Sequence, residues 1–119
     1  NWDKDLFHIK QRIQNITHQK FNSVLLNEYP NGDVGMGWHS DDEKELGINP
    51  IIASVSLGAE RDFLFRHKKD KSKEPVKILL KHGSLLLMMG STQHHWHHSL
   101  PIRRKVKDKR INLTFRNIV

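Results

Sequence analysis

The chain has 119 residues, which is the size of one domain. Its mean hydropathy is −0.65, and it contains no cysteine. Its longest apolar run, Leu85–Met89, is far shorter than the ~20 residues that cross a bilayer, so a membrane-spanning helix is excluded. The lack of cysteine excludes disulfide scaffolds, thiolate metal sites and cysteine nucleophiles. The polar N-terminal stretch has no signal-peptide pattern, so we expect a protein that is not secreted and is cytoplasmic, or nuclear in a eukaryote.

The charge of the chain points to an anionic partner. Lysine and arginine total 20 against 13 acidic residues, which gives a net charge of +7 and a pI near 9.9. The excess lies in two basic stretches, Arg66–Lys81 and Arg103–Arg110. A surplus of this kind favours a polyanion such as nucleic acid. A solvated loop surface would carry the same charge, so charge alone leaves both interpretations open.

The hydrophobic pattern predicts one helix followed by short strands. Asp5–His18 places four apolar side chains at spacings of three and four, which is typical of an amphipathic helix that braces a sheet. Asp41–Gly47 is expected to be a polar loop or one helical turn, and Gly90–Gln93 a turn. The strand-like segments are Phe21–Tyr29, Val34–His39, Ile51–Leu57, Arg61–His67, Val76–Leu80, Ser84–Met89, Trp96–Leu100 and Ile111–Ile118. This order predicts a mainly β domain, either a sandwich or an open barrel.

A candidate metal site begins at His39 and Asp41. Residues two apart on a strand point to the same face, so this imidazole and this carboxylate can converge on one ion. They would supply two ligands of a facial triad, and the third would be a histidine from a distant strand, for which His98 is the best placed. The H-x-D pattern is weak on its own, because it also occurs by chance in proteins without a metal.

A candidate anion site lies in the last predicted strand. Arg110, Asn112, Thr114 and Arg116 alternate with apolar residues and share one face. Such a face usually meets water, but two guanidiniums, an amide and a hydroxyl in a row could also hold a dicarboxylate. Asn27 and Tyr29 form a similar pair on another strand.

Taken together, these segments resemble the AlkB-like Fe(II)/2-oxoglutarate dioxygenases, particularly the DNA-repair members. The resemblance covers about four-fifths of the chain, and the motifs occur in the family's order. The segments that carry it are Phe21–Tyr29, His39–Glu43, Pro50–Ala59, His82–Leu86, His98–Pro101 and Arg110–Arg116. It implies that residues 1–119 form a single catalytic domain, a double-stranded β-helix (jelly roll) with an N-terminal supporting helix.

The resemblance also implies a role for each candidate residue. His39, Asp41 and His98 would bind Fe(II), and His98 is chosen over its neighbouring histidines because Ser99-Leu100-Pro101 follows it. Arg110 and Tyr29 would hold the distal carboxylate of 2-oxoglutarate. Asn27, Asn112 and Thr114 would assist them, and Arg116 would lie nearer the end that chelates the metal. Asp42 and Glu43 would contact the substrate, where a carboxylate favours a cationic base.

The activity implied by the resemblance is oxidative demethylation of 1-methyladenine or 3-methylcytosine in DNA. 2-Oxoglutarate and O2 would be consumed, and succinate and formaldehyde released. The basic stretches would then contact phosphates of a flipped or single-stranded substrate. We expect a monomer that lacks the lid which family members carry before the region matching Phe21. The alternatives are an RNA- or protein-directed oxygenase of the same type, a non-catalytic nucleic-acid-binding jelly roll, and a cupin-like domain.

Overall fold

A computed structural model describes residues 2–41, 44–70 and 72–118. Within them the chain forms an N-terminal helix, eight strands, a short 3₁₀ turn at Lys44–Leu46 and a second, four-residue helix. The helices are α1 (Lys4–Thr17) and α2 (Thr92–His95). The strands are β1 (Ser23–Tyr29), β2 (Met36–His39), β3 (Ile52–Gly58), β4 (Arg61–His67), β5 (Val76–Leu80), β6 (Leu85–Met88), β7 (Trp96–Leu100) and β8 (Arg110–Arg116).

The strands pair into two four-stranded antiparallel sheets. The first sheet has the order β1-β8-β3-β6 and the second the order β2-β7-β4-β5. This mainly β arrangement of two sheets with an N-terminal helix confirms the predicted jelly-roll class. None of the helices in the described part of the chain is long and apolar enough to span a membrane.

Helix α1 covers the outer face of the first sheet. Its N-terminus is capped by the Asp3 carboxylate, which accepts hydrogen bonds from two main-chain N–H groups of the first turn. The helix ends at His18 in the left-handed conformation. Ile13 is buried against Phe21, Leu113 and Phe115, so the apolar stripe of the helix packs on the sheet as predicted.

Strand β8 has one apolar face and one polar face. Leu113 and Phe115 are buried in the core cluster under α1. The alternate residues, from Arg110 to Arg116, face the space between the two sheets, where they line a cavity. One strand therefore supplies both the core and one wall of the cavity.

The segment around residue 92 differs from expectation. Of the turn predicted at Gly90–Gln93, Gly90 and Ser91 do form a turn, but Thr92 and Gln93 begin α2, in which His94 and His95 donate main-chain hydrogen bonds to the Ser91 carbonyl. A single turn of helix is too short to display an apolar period, so the hydrophobic pattern could not reveal it.

Candidate active site

His39, Asp41 and His98 lie together between the sheets. His39 ends β2 and pairs with His98 on β7, and Asp41 follows two residues later. Their ligand atoms lie within 4.8 Å of one another. The two imidazole centroids are 4.3 Å apart, and His98 Nε2 is 3.8 Å from Asp41 Oδ2. The structure therefore brings all three predicted metal ligands to one point.

His98 has the protonation state that metal binding requires, and a hydrogen bond orients the ring of His39. Burial, and next the neighbouring His39, lower the pKa of His98 from 6.5 to about 4, so its ring is neutral at pH 7. His39 Nδ1 lies 2.9 Å from the Gly37 carbonyl oxygen. Because a carbonyl only accepts, the proton must be on Nδ1, which leaves the Nε2 lone pair of His39 for a metal.

Asp41 is held by one group from strand β8 and one from helix α2. Its side chain is buried, and its Oδ1 atom accepts a hydrogen bond from Arg116 Nη2 at 3.2 Å. Its main-chain N–H donates to the side chain of Gln93. With Oδ1 turned to Arg116, Oδ2 is the oxygen that faces His98. Arg116 therefore lies beside the three candidate metal ligands.

Arg110 forms the opposite end of the site. Its side chain is only 2% exposed, and Nη2 donates to Ser56 Oγ at 3.0 Å. Its Nε atom is buried and has no hydrogen-bond partner among the described residues. The guanidinium carbon lies 5.4 Å from the centroid of the Tyr29 ring. Burial lowers the pKa of Arg110, so this cation is held in an environment that disfavours its charge until an anion arrives.

The remaining predicted side chains lie in the same cavity. Ser54 Oγ donates to Asn112 Oδ1 at 2.7 Å, and Asn112 Nδ2 donates to Thr114 Oγ1 at 2.9 Å. Asn27 stands opposite Asn112 in the β1–β8 register. Burial raises the pKa of Tyr29, so its hydroxyl keeps its proton and can donate a hydrogen bond.

The cavity has a volume of about 400 Å³, a size that suits a small-molecule ligand. All nine predicted metal- and cosubstrate-binding residues that the structure describes line it, whereas Asp42 and Glu43 lie outside the described residues. Sequence reasoning missed Ser54 and Glu45 in its wall, and Gln93 behind it. Only the alternation in β3, which places Ser54 and Ser56 on one face, could have indicated the first of these.

Comparison with known proteins identifies the family. The model of the 2OG-Fe(II) oxygenase superfamily matches residues 1–116. The chain belongs to this superfamily. The members of this family use Fe(II) and 2-oxoglutarate, which confirms the cofactors that the resemblance implied.

Relatives within the superfamily are of the AlkB type. The chain is similar to the DNA oxidative demethylase ALKBH2 of Homo sapiens, with 48% identity over 99% of this chain and 48% of that protein. It is also similar to the alpha-ketoglutarate-dependent dioxygenase alkB homolog 3 of Homo sapiens, with 44% identity over 99% of this chain and 44% of that protein. The chain spans about half the length of the curated relatives it matches. These likenesses confirm the AlkB-like resemblance.

A solved structure of OsALKBH1 shares the fold. It covers 97% of this chain, and this chain covers 66% of that one, with a TM-score of 0.69 and 22% identity.

The residues present fit both groups that the family uses. Two imidazoles with one carboxylate are a donor set suited to Fe(II), and they leave coordination positions open. The unpartnered Nε of Arg110, beside Tyr29, is a buried donor that a carboxylate would satisfy.

Proposed function

We propose that this chain is the catalytic domain, residues 1–119, of an oxygenase that demethylates N-alkylated bases in DNA, such as 1-methyladenine and 3-methylcytosine. The observation that carries the proposal is the cavity, in which a His-Asp-His cluster on one sheet faces a buried, partly unpaired guanidinium on the other. The name of the ALKBH2 relative, a DNA oxidative demethylase, supports the substrate class.

In this proposal His39, Asp41 and His98 bind Fe(II). Two imidazoles and one carboxylate would hold the ion, and the Arg116 hydrogen bond orients that carboxylate. When bound, Fe(II) and 2-oxoglutarate supply the O2-dependent oxidation that hydroxylates the methyl carbon, after which the methyl group leaves as formaldehyde.

The other wall of the cavity positions 2-oxoglutarate. Arg110 donates from Nε, and Tyr29 from its hydroxyl, to the distal carboxylate. Asn112 and Thr114 fix its orientation through the amide and hydroxyl chain that Ser54 begins, and Asn27 assists from its place opposite Asn112. Apolar side chains, among them Met36 and Phe63, exclude water from the remaining space.

Charged side chains would contact the nucleic-acid substrate. Asp42 and Glu43 directly follow the metal carboxylate in sequence, and their charge would attract a cationic methylated base. The two basic stretches would bind phosphates, and Arg104 and Lys105 are exposed and so available to do so. The base must leave the helical stack to reach a cavity between two sheets, so the target is flipped or single-stranded.

Mass spectrometry of a methylated oligonucleotide tests the proposal. A single strand with one 1-methyladenine is incubated with protein, Fe(II), ascorbate and 2-oxoglutarate, and we expect loss of one methyl group. His98→Ala should abolish the loss, whereas His8→Ala, which removes an exposed histidine from α1, should leave it unchanged. Equal turnover by parent and His98→Ala would contradict the metal assignment.

Parallel reactions separate the alternatives. An RNA strand of the same sequence that is demethylated much faster than the DNA would favour the RNA-directed oxygenase. Oligonucleotide binding with neither succinate formation nor methyl loss would favour the non-catalytic reader. The monomeric state stays a prediction, which light scattering of the purified protein can check.

A further inference from the structure

The main-chain N–H of Asp41 has an unusual partner. Asp41 lies beyond the end of β2, and the β2–β7 register shifts between Met36 and His39, so the ladder does not fix this segment. The N–H instead donates to the side-chain Oε1 of Gln93 at 2.7 Å, across 52 positions of sequence. This bond satisfies a buried main-chain donor that would otherwise be unpaired.

Gln93 is a rigid acceptor. Its side chain is 2% exposed, and its Nε2 lies 3.4 Å from the sulfur of Met88, to which it donates. Its main-chain carbonyl accepts a hydrogen bond from Lys68 Nζ at 2.8 Å. Contacts at the amide nitrogen, the amide oxygen and the main chain leave the side chain little freedom to move.

The position of Gln93 in the chain links two metal ligands. It lies on α2, which runs directly into β7, and His98 follows five residues later. The hydrogen bond that the Asp41 N–H donates to Gln93 therefore fixes the loop that bears the carboxylate against the segment that bears the imidazole. That connection joins the two segments whose side-chain atoms, His98 Nε2 and Asp41 Oδ2, lie 3.8 Å apart.

We propose that Gln93 is a positioning residue of the metal centre, which sets the placement of the Asp41 carboxylate through its hydrogen bond to the Asp41 N–H. The inference rests on the proposed function, because that proposal makes Asp41 a metal ligand. Groups that orient metal ligands typically alter metal affinity by about 10–100-fold when they are removed. We expect an effect of that size here.

Metal affinity tests this role without turnover. Mn(II) is titrated into the metal-free protein and binding is followed by calorimetry, for the parent chain and for Gln93→Met, which keeps the side-chain length and loses the acceptor. The matched control is Gln14→Met, because Gln14 Oε1 accepts the Phe21 N–H at 2.8 Å in a bond of the same type far from the cavity. Thermal unfolding of each metal-free variant measures the general loss of stability.

We expect Gln93→Met to raise the Mn(II) dissociation constant by about 10–100-fold, while Gln14→Met lowers the unfolding temperature without changing that constant. Gln93→Glu retains an acceptor oxygen at the same chain length, and it should bind Mn(II) within about threefold of the parent. Should Gln93→Met unfold, Gln93→Glu still decides, because a loss of affinity in that folded variant would overturn the role of the acceptor. Parent-like affinity in Gln93→Met overturns the inference alone, whereas a parent chain that does not bind Mn(II) overturns the proposed function as well.

Discussion

Replacing Arg110 with methionine should weaken 2-oxoglutarate binding without weakening the fold. In the ligand-free protein Arg110 is a buried cation that donates to Ser56, its Nε has no partner among the residues that the structure describes, and burial lowers its pKa. Folding therefore disfavours its charged form, and this cost is present at every pH below the folded-state pKa of Arg110, including pH 7. An apolar side chain of similar length removes that cost, so the stability of the ligand-free protein should stay the same or rise.

The loss in binding can be estimated from the same geometry. Removing one partner of a buried, hydrogen-bonded charge pair costs about 2–5 kcal/mol, so the dissociation constant for 2-oxoglutarate should rise at least about 30-fold. At 100 times its dissociation constant, a ligand stabilises the parent by about 2.7 kcal/mol, which is roughly 10 °C for a domain of this size. In Arg110→Met the same concentration would give about 0.9 kcal/mol, or roughly 3 °C.

Thermal unfolding with Mn(II) present, with and without 2-oxoglutarate, measures both quantities at once. The comparison variant is Arg61→Met, because Arg61 is 1% exposed but donates to the main-chain carbonyls of Asn31, Val34 and Pro101. Its loss removes three hydrogen bonds from a buried charged group and should cost at least about 3 kcal/mol of stability. If Arg110→Met lowered the unfolding temperature as Arg61→Met does, and kept the full 2-oxoglutarate shift, the assignment of Arg110 as the carboxylate-binding residue would be refuted.

Three further predictions follow from other parts of the molecule. Gly58→Ala should destabilise the protein by about 1–3 kcal/mol in urea unfolding, because Gly58 has φ +93 and an added Cβ would lie 2.3 Å from the Lys109 carbonyl oxygen; an unchanged midpoint would contradict the close approach. Chelation by EDTA should lower the unfolding temperature and Mn(II) should restore it, and a temperature insensitive to both would count against the metal centre. Joint replacement of Arg104 and Lys105 by glutamine should reduce the salt dependence of oligonucleotide binding by about 0.7–0.9 for each lost phosphate contact, and an unchanged slope in a salt titration would show that they contact none.

The fold could be predicted from sequence because its strands are short and amphipathic. Val76–Leu80, Arg61–His67 and Trp96–Leu100 have the bounds that the pattern predicted. The N-terminal helix differs by one residue at each end, which is within the normal ambiguity of helix termini. Pairing was not predictable in the same way, since β8 lies between β1 and β3, and such long-range neighbours leave no local pattern.

In the candidate site, too, local features could be predicted from the sequence and long-range contacts could not. Period-two alternation predicted that Arg110, Asn112, Thr114 and Arg116 share a face, and they do, because that spacing is a property of any strand. The hydrogen-bond partner of each side chain could not be predicted from the sequence. That Arg116 bonds to Asp41, and that Gln93 accepts the Asp41 N–H, depends on contacts across 75 and 52 positions of sequence.

The candidate metal ligands and the candidate anion-binding residues lie on different sheets, and this arrangement explains why metal binding and folding should be coupled. The candidate metal ligands come from β2, its following loop and β7 in one sheet, while Arg110, Asn112 and Arg116 come from β8 in the other. The Arg116–Asp41 pair joins the two walls of the cavity, and its guanidinium and carboxylate are both largely buried. A metal bound to these ligands would fix the wall formed by β2, its following loop and β7. The wall formed by β8 packs against that arrangement. The rise in unfolding temperature expected with Mn(II) therefore includes two contributions. One is the coordination of the ion by three ligands, and the other is the packing of the two sheets around the cavity.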